Sequence, residues 1–89
     1  MTEFVLELYV ARSGSDRLGR NAEVARLAAE QLTSEGTPVT YVRSIFVPED
    51  ETCYLLYEAI SAEAVHEAAR RAQLPFERIA EAFSPVEGA

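Results

Sequence analysis

Residues 38–59, PVTYVRSIFVPEDETCYLLYEA, decide the fold. Two runs rich in Val, Ile, Phe, Tyr and Leu flank a short polar connection that begins with Pro48, which reads as a β-hairpin. Closing the loop with Val47 and Thr52 sets Ile45 opposite Tyr54, Arg43 opposite Leu56 and Tyr41 opposite Glu58. Strict alternation then puts Tyr41, Arg43, Ile45, Tyr54, Leu56 and Glu58 on one face of the sheet. Val42, Phe46, Cys53, Leu55 and Tyr57 share the other. Both faces are apolar enough to need covering, yet the first carries an arginine and a glutamate.

Working outward, Glu3 to Val10 alternates as a strand, with Phe4, Leu6, Leu8 and Val10 on one side and Val5, Glu7 and Tyr9 on the other. A polar loop, ARSGSDRLGRN, follows. Asn21 reads as the N-cap of a helix running to about Thr33, with Val24, Leu27, Ala28 and Leu32 as its apolar stripe and Gly36 at its exit. After the hairpin, Ser61 caps a second helix from Ala62 to about Gln73, with Ala64, Val65, Ala68, Ala69 and Ala72 as its buried stripe. Pro75 ends it, and Phe76 to Ala82 reads as a last strand. Residues 1–83 are expected to form one domain and 84–89 a frayed tail. The order βαββαβ with two right-handed crossovers is an α+β, ferredoxin-like plait: a four-stranded antiparallel sheet with both helices on one face.

That arrangement leaves the other face bare, with Val5, Tyr9, Tyr41, Ile45, Val47, Tyr54 and Leu56 on it. Such a patch reaches the roughly 300–600 Å² typical of the largest apolar patch on a monomer. A second copy is the simplest cover, and sheet-to-sheet packing gives a dimeric α/β barrel with a cavity between or beside the two sheets. Glu7, Arg43 and Glu58 lie on this face, from three strands expected to be neighbours. Burying them costs free energy unless each is paired. If Arg43 pairs with one carboxylate, the other is left in an apolar setting that favours its protonated form, as acid–base chemistry needs. Glu58, Arg43 and Glu7 are therefore the candidate catalytic residues, and Tyr9, Tyr41, Tyr54 and Leu56 the candidate ligand-binding ones. A structural ion pair at a dimer interface is the alternative. Whether the protein is an enzyme stays open.

Composition narrows the remaining classes. Eighty-nine residues hold one modest core. A net charge of −7 argues against non-specific nucleic-acid binding. There is no lysine, only arginine, which suits a GC-rich bacterial genome. The single Cys53 rules out an internal disulfide and reads as a small buried hydrophobe. No apolar run approaches the ~18 residues of a membrane span and no signal peptide is evident, so a cytoplasmic location is expected, without membrane partners. Gly14 and Gly19 have the spacing of a phosphate loop, with Arg12, Arg17 and Arg20 nearby, but the lysine and magnesium-holding hydroxyl are replaced by Arg20 and Asn21. No cofactor is expected. The alternative is a divalent metal at His66, the only histidine, beside Glu63 and Glu67.

Three stretches, VPEDETCYLLYEA from Val47, SAEAVHEAARRA from Ser61 and LPFERI from Leu74, resemble a family of small bacterial proteins of unknown function, one branch of which is described as nickel-binding. Glu58-Ala59 and Ala64-Val65 are the most recognisable parts. The resemblance implies a ferredoxin-like dimer. The chain departs from it at Gln73, where relatives often carry Gly, in its longer Gly/Arg loop, and in having one histidine. Related dimeric α/β barrels include cofactor-independent monooxygenases, isomerases and cyclases, a fold-level analogy only. The expected function is that of a homodimer enclosing a small, largely apolar organic ligand, with cofactor-free acid–base catalysis of the isomerase or cyclase type as its chemistry. A metal-binding protein and a purely structural dimerisation module are the alternatives.

Overall fold

A computed structural model describes residues 1–85. Four strands, β1 (Thr2–Tyr9), β2 (Val39–Val47), β3 (Thr52–Ala59) and β4 (Phe76–Ala82), pair in the order β2-β3-β1-β4. All three pairings are antiparallel. Helix α1 (Leu18–Ser34) links β1 to β2, and α2 (Ala62–Arg71) links β3 to β4. This is the expected βαββαβ plait.

Alternation along the two central strands decides which face is dry. Phe4, Leu6 and Leu8 of β1 and Cys53, Leu55, Tyr57 and Ala59 of β3 are buried. Their alternating neighbours Val5, Glu7, Tyr54 and Leu56 are half-buried. The helices lie over the first set with small side chains: Ala25, Ala28 and Ala29 from α1, and Ala64, Val65, Ala68 and Ala69 from α2. Ser61 caps α2 as expected, its Oγ accepting the Ala64 N–H at 3.2 Å.

Three expectations need correction. Helix α1 starts at Leu18, because a 3₁₀ turn over Ser15–Arg17 leads straight into it, and Asn21 lies inside the helix. Gly19 consequently belongs to the first helical turn and not to a phosphate-cradling loop. The buried stripe of α1 keeps Ala28 and Leu32 as expected, with Val24 partly buried, but it adds Ala25 and Ala29 and leaves Leu27 exposed. The third concerns β2. Its register with β3 runs as expected from Val47↔Thr52 through Arg43↔Leu56, then shifts, so that Tyr41 pairs with Tyr57 and Thr40 with Glu58. Val42 is the extra residue of a β-bulge and is exposed. The bulge turns Tyr41 to the helix side, where its ring meets Tyr57 edge-on at 5.9 Å and its hydroxyl bonds Ser44.

Both helices stop in the same way. At α1, Gly36 adopts φ +109 and the Thr37 N–H reaches the Leu32 carbonyl at 3.1 Å. At α2, Gln73 adopts φ +58, the Leu74 N–H donates to the Ala69 carbonyl at 3.1 Å, and Leu74 is buried. These are Schellman ends with a left-handed residue after the cap, a position suited to glycine. Gln73 therefore carries a steric cost that Gly36 does not. Gln73→Gly should raise stability by about 1 kcal/mol, and Gly36→Ala should lower it by a similar amount. Urea midpoints of the two variants check both signs.

An ion cluster ties the helices together at this end. Arg71 reaches Glu67 at 2.9 Å and Glu35 of α1 at 2.8 Å, and Arg70 reaches Glu67 at 3.0 Å. Arg70 first, then Arg71, holds the Glu67 carboxyl at about 2, below its ordinary 4.5. Because the folded value is the lower one, the stabilisation is present above pH 4.5 and is lost as pH falls toward 2. Wild type should melt higher than Glu67→Gln at neutral pH, and the gap should close across that acid window in melting curves.

Candidate functional site

The uncovered side of the sheet is ordered in rows. One holds Ile45, Tyr54, Glu7 and Arg78; the next holds Arg43, Leu56, Val5 and Ala80; a third holds Thr40, Glu58, Glu3 and Ala82. Val47, Thr52 and Tyr9 form the row at the opposite end. Apolar side chains thus run through every row, with Glu7, Arg78 and Arg43 among them in the two middle rows and Glu58 and Glu3 in one end row. Tyr9 and Ile45 are 56% and 42% exposed, which is large for residues of their size.

Of the candidate catalytic residues, all three lie on this face but the sheet does not bring them together. Glu7 and Arg43 are separated by the whole of β3 and by one row. Glu58 lies one row beyond Arg43 in the other direction. Glu7 is instead bonded to Arg78, directly across on β4, at 2.7 Å. Among the described residues, Arg43 and Glu58 make no salt bridge. Both are exposed. The expected setting, an unpaired carboxyl group enclosed by apolar walls, is one that only a second copy over this face would complete; in one chain Glu58 is exposed. Tyr9, Tyr54 and Leu56 sit on the face as expected, whereas Tyr41 does not.

Arg78 is the functional-face residue that sequence reasoning missed. Its signal was available: in FERIAEA, Arg78, Ala80 and Ala82 alternate, and the plait seats β4 beside β1. Opposite Glu3 the outcome differs. Glu58 faces Glu3 across β3 and β1, a like-charged pair, which destabilises a sheet when directly opposite. Glu3 is relieved in part by the Ser84 hydroxyl, which donates to it at 2.8 Å.

The helix side offers less. His66 is exposed on α2, edge-on to Phe76 at 5.1 Å, at a groove of about 570 Å³ that Leu74 and Pro75 also line. Glu63 lies one turn before it, and Glu67 is already engaged by Arg70 and Arg71. At the end of β1 a cavity of about 300 Å³ is lined by Tyr9, Ser13, Arg17 and Asn21 among others. Cys53 is buried, and burial pushes its thiol up, away from the reactive thiolate. Tyr57 is wholly buried with no hydrogen-bond partner for its hydroxyl among the described residues, and desolvation drives its ionisation upward. No described helix is long and apolar enough to cross a membrane.

No curated protein matches the chain. The crystal structure of SCO4226 from Streptomyces coelicolor A3(2) is similar to it throughout, with a TM-score of 0.72 and 28% identity over 94% of this chain and 99% of that one. The family described as nickel responsive protein SCO4226-like matches residues 10–82, from just after β1 to the end of β4. The chain belongs to the SCO4226-like family of nickel-responsive proteins.

Proposed function

We propose that this protein works as a homodimer, two copies packing open sheet face to open sheet face as a dimeric α/β barrel, with a small, largely apolar organic ligand held between them. The observation that carries the reading is the group Val5, Tyr9, Ile45, Val47, Tyr54 and Leu56 on one face, none of them buried in the single chain. Four strands ~4.8 Å apart and eight residues long cover roughly 19 by 26 Å. Pairing two such faces removes roughly 1,000 Å² from water, the lower bound for a specific interface. Tyr9, Tyr54 and Leu56 are the ligand-facing candidates. Acid–base catalysis is the finer version of this reading, with Glu58 or Glu7 moving the proton and Arg43 steadying negative charge. It gains less from the geometry, because Glu7 is already on Arg78.

Membership of a nickel-responsive family favours a second reading, binding of nickel or another divalent metal. The donors in one chain do not fit a closed site. His66 has one free carboxylate neighbour on its helix, and no group of three or more His, Cys, Asp or Glu suited to a metal occurs among the described residues. Such a site would need donors from a second subunit.

Sedimentation at micromolar concentrations should find a dimer for the wild type and a folded monomer for Leu56→Glu, folding being checked by circular dichroism. A wild-type monomer would overturn the first reading. Native mass spectrometry of the freshly purified dimer should show added mass from a small molecule. Stoichiometric Ni²⁺ binding by calorimetry, lost in His66→Ala, would favour the second reading instead.

A further inference from the structure

The open face carries an unbalanced set of charges. Glu7 has its cation directly opposite in Arg78. Arg43 has none among the described residues, and one row away Glu58 and Glu3 confront each other with no cation between them. An arginine beside an apolar strip and a pair of opposed carboxylates at its end are each unfavourable to cover with a neutral surface.

Resting on the dimer reading, we propose that Arg43 of each subunit crosses the interface to the carboxylate of Glu58 of the partner subunit, close to the partner's Glu3, and so fixes the angle at which the two sheets stack. The argument is one of symmetry. Arg43 and Glu58 lie on adjacent strands, one row apart. A two-fold axis lying between the two sheets, and passing diagonally between these positions, carries each onto the neighbourhood of the other. The contact is then made twice, as an isologous interface requires. It places one cation against each opposed carboxylate pair, removing the like-charge penalty within the sheet. A planar guanidinium can take a carboxylate through two hydrogen bonds, which makes the contact directional. A small molecule alone could not cover a face of this size. A second copy supplies the matching charges by construction.

The test separates contacts across the interface from contacts within a chain. Arg43→Glu and Glu58→Arg should each raise the dimer dissociation constant about tenfold or more, since charge pairs of this kind couple by at least ~1.5 kcal/mol. Mixing the two variants should yield a heterodimer tighter than either variant's own homodimer, because both crossing contacts then join opposite charges. Mixing Arg43→Glu with Glu49→Arg, whose site is on the exposed turn between β2 and β3, should give no such gain. If the wild type is dimeric but the single variants match it, or the mixture gives no heterodimer preference, the crossed ion pair is wrong and the dimer reading stands. A wild-type monomer would remove both.

Discussion

Small side chains set the distance between the helical layer and the sheet. Six alanines, three from each helix, are buried against β-strands that carry Leu6, Leu8, Leu55 and Tyr57. Bulk on the sheet meets little bulk on the helices, so the two layers can approach closely. That leaves no room for a second apolar stripe on the helices, and the outward sides of α1 and α2 are free to carry charges. The same arrangement commits both helices to one face.

How far this was legible in the residues depends on range. Element type and order followed from local signals: the alternation of β1, the Pro48 turn, and the Ser61 cap with its alanine stripe. The start of α1 was missed because Asn21 is a good cap in isolation, while the true entry is a 3₁₀ turn without a side-chain cap. Helical spacing placed Ala28 and Leu32 in its buried stripe correctly but included Leu27, whereas a closely packed layer selects the small Ala25 and Ala29. The bulge in β2 left one trace, the apolar doublet Tyr41-Val42, which breaks alternation. Strict alternation continued past it and put Tyr41 on the wrong face. Bulges are common on edge strands, where they also blunt pairing with other chains, and β2 is an edge.

The candidate site was legible as a set of residues on a face and not as a constellation. Which strand a residue occupies follows from topology, but which row it occupies needs the register of every pair between. With β3 lying between β2 and β1, Arg43 and Glu7 are two strand spacings apart, roughly 10 Å before the row offset is counted. Arginine can span much of that only by lying across Leu56. Glu7 has a nearer cation in Arg78, and an ion pair between directly opposed residues orders less side chain than one that must reach. Proximity on the sheet thus decides the pairing, and the supposed triad resolves into one closed pair and two open charges.

The two functional readings also use opposite sides of the molecule, and this bears on how they can coexist. His66 is on the outward surface of α2, and the apolar face is on the far side of the sheet. The chain is a slab whose smallest extent is 19 Å. Two slabs joined at their open faces place the two α2 helices on the outer surfaces, about two slab thicknesses apart. No single ion can then be shared by both copies of His66. A metal held by this histidine needs either a different association, helix layer to helix layer, or further donors from outside the chain. The proposed sheet-to-sheet association would instead gather the carboxylates of Glu3 and Glu58 around Arg43, where a metal ion and a guanidinium would compete for the same oxygen lone pairs. Any divalent ion entering there would have to displace an arginine, so on that face metal binding and subunit pairing are opposed rather than cooperative.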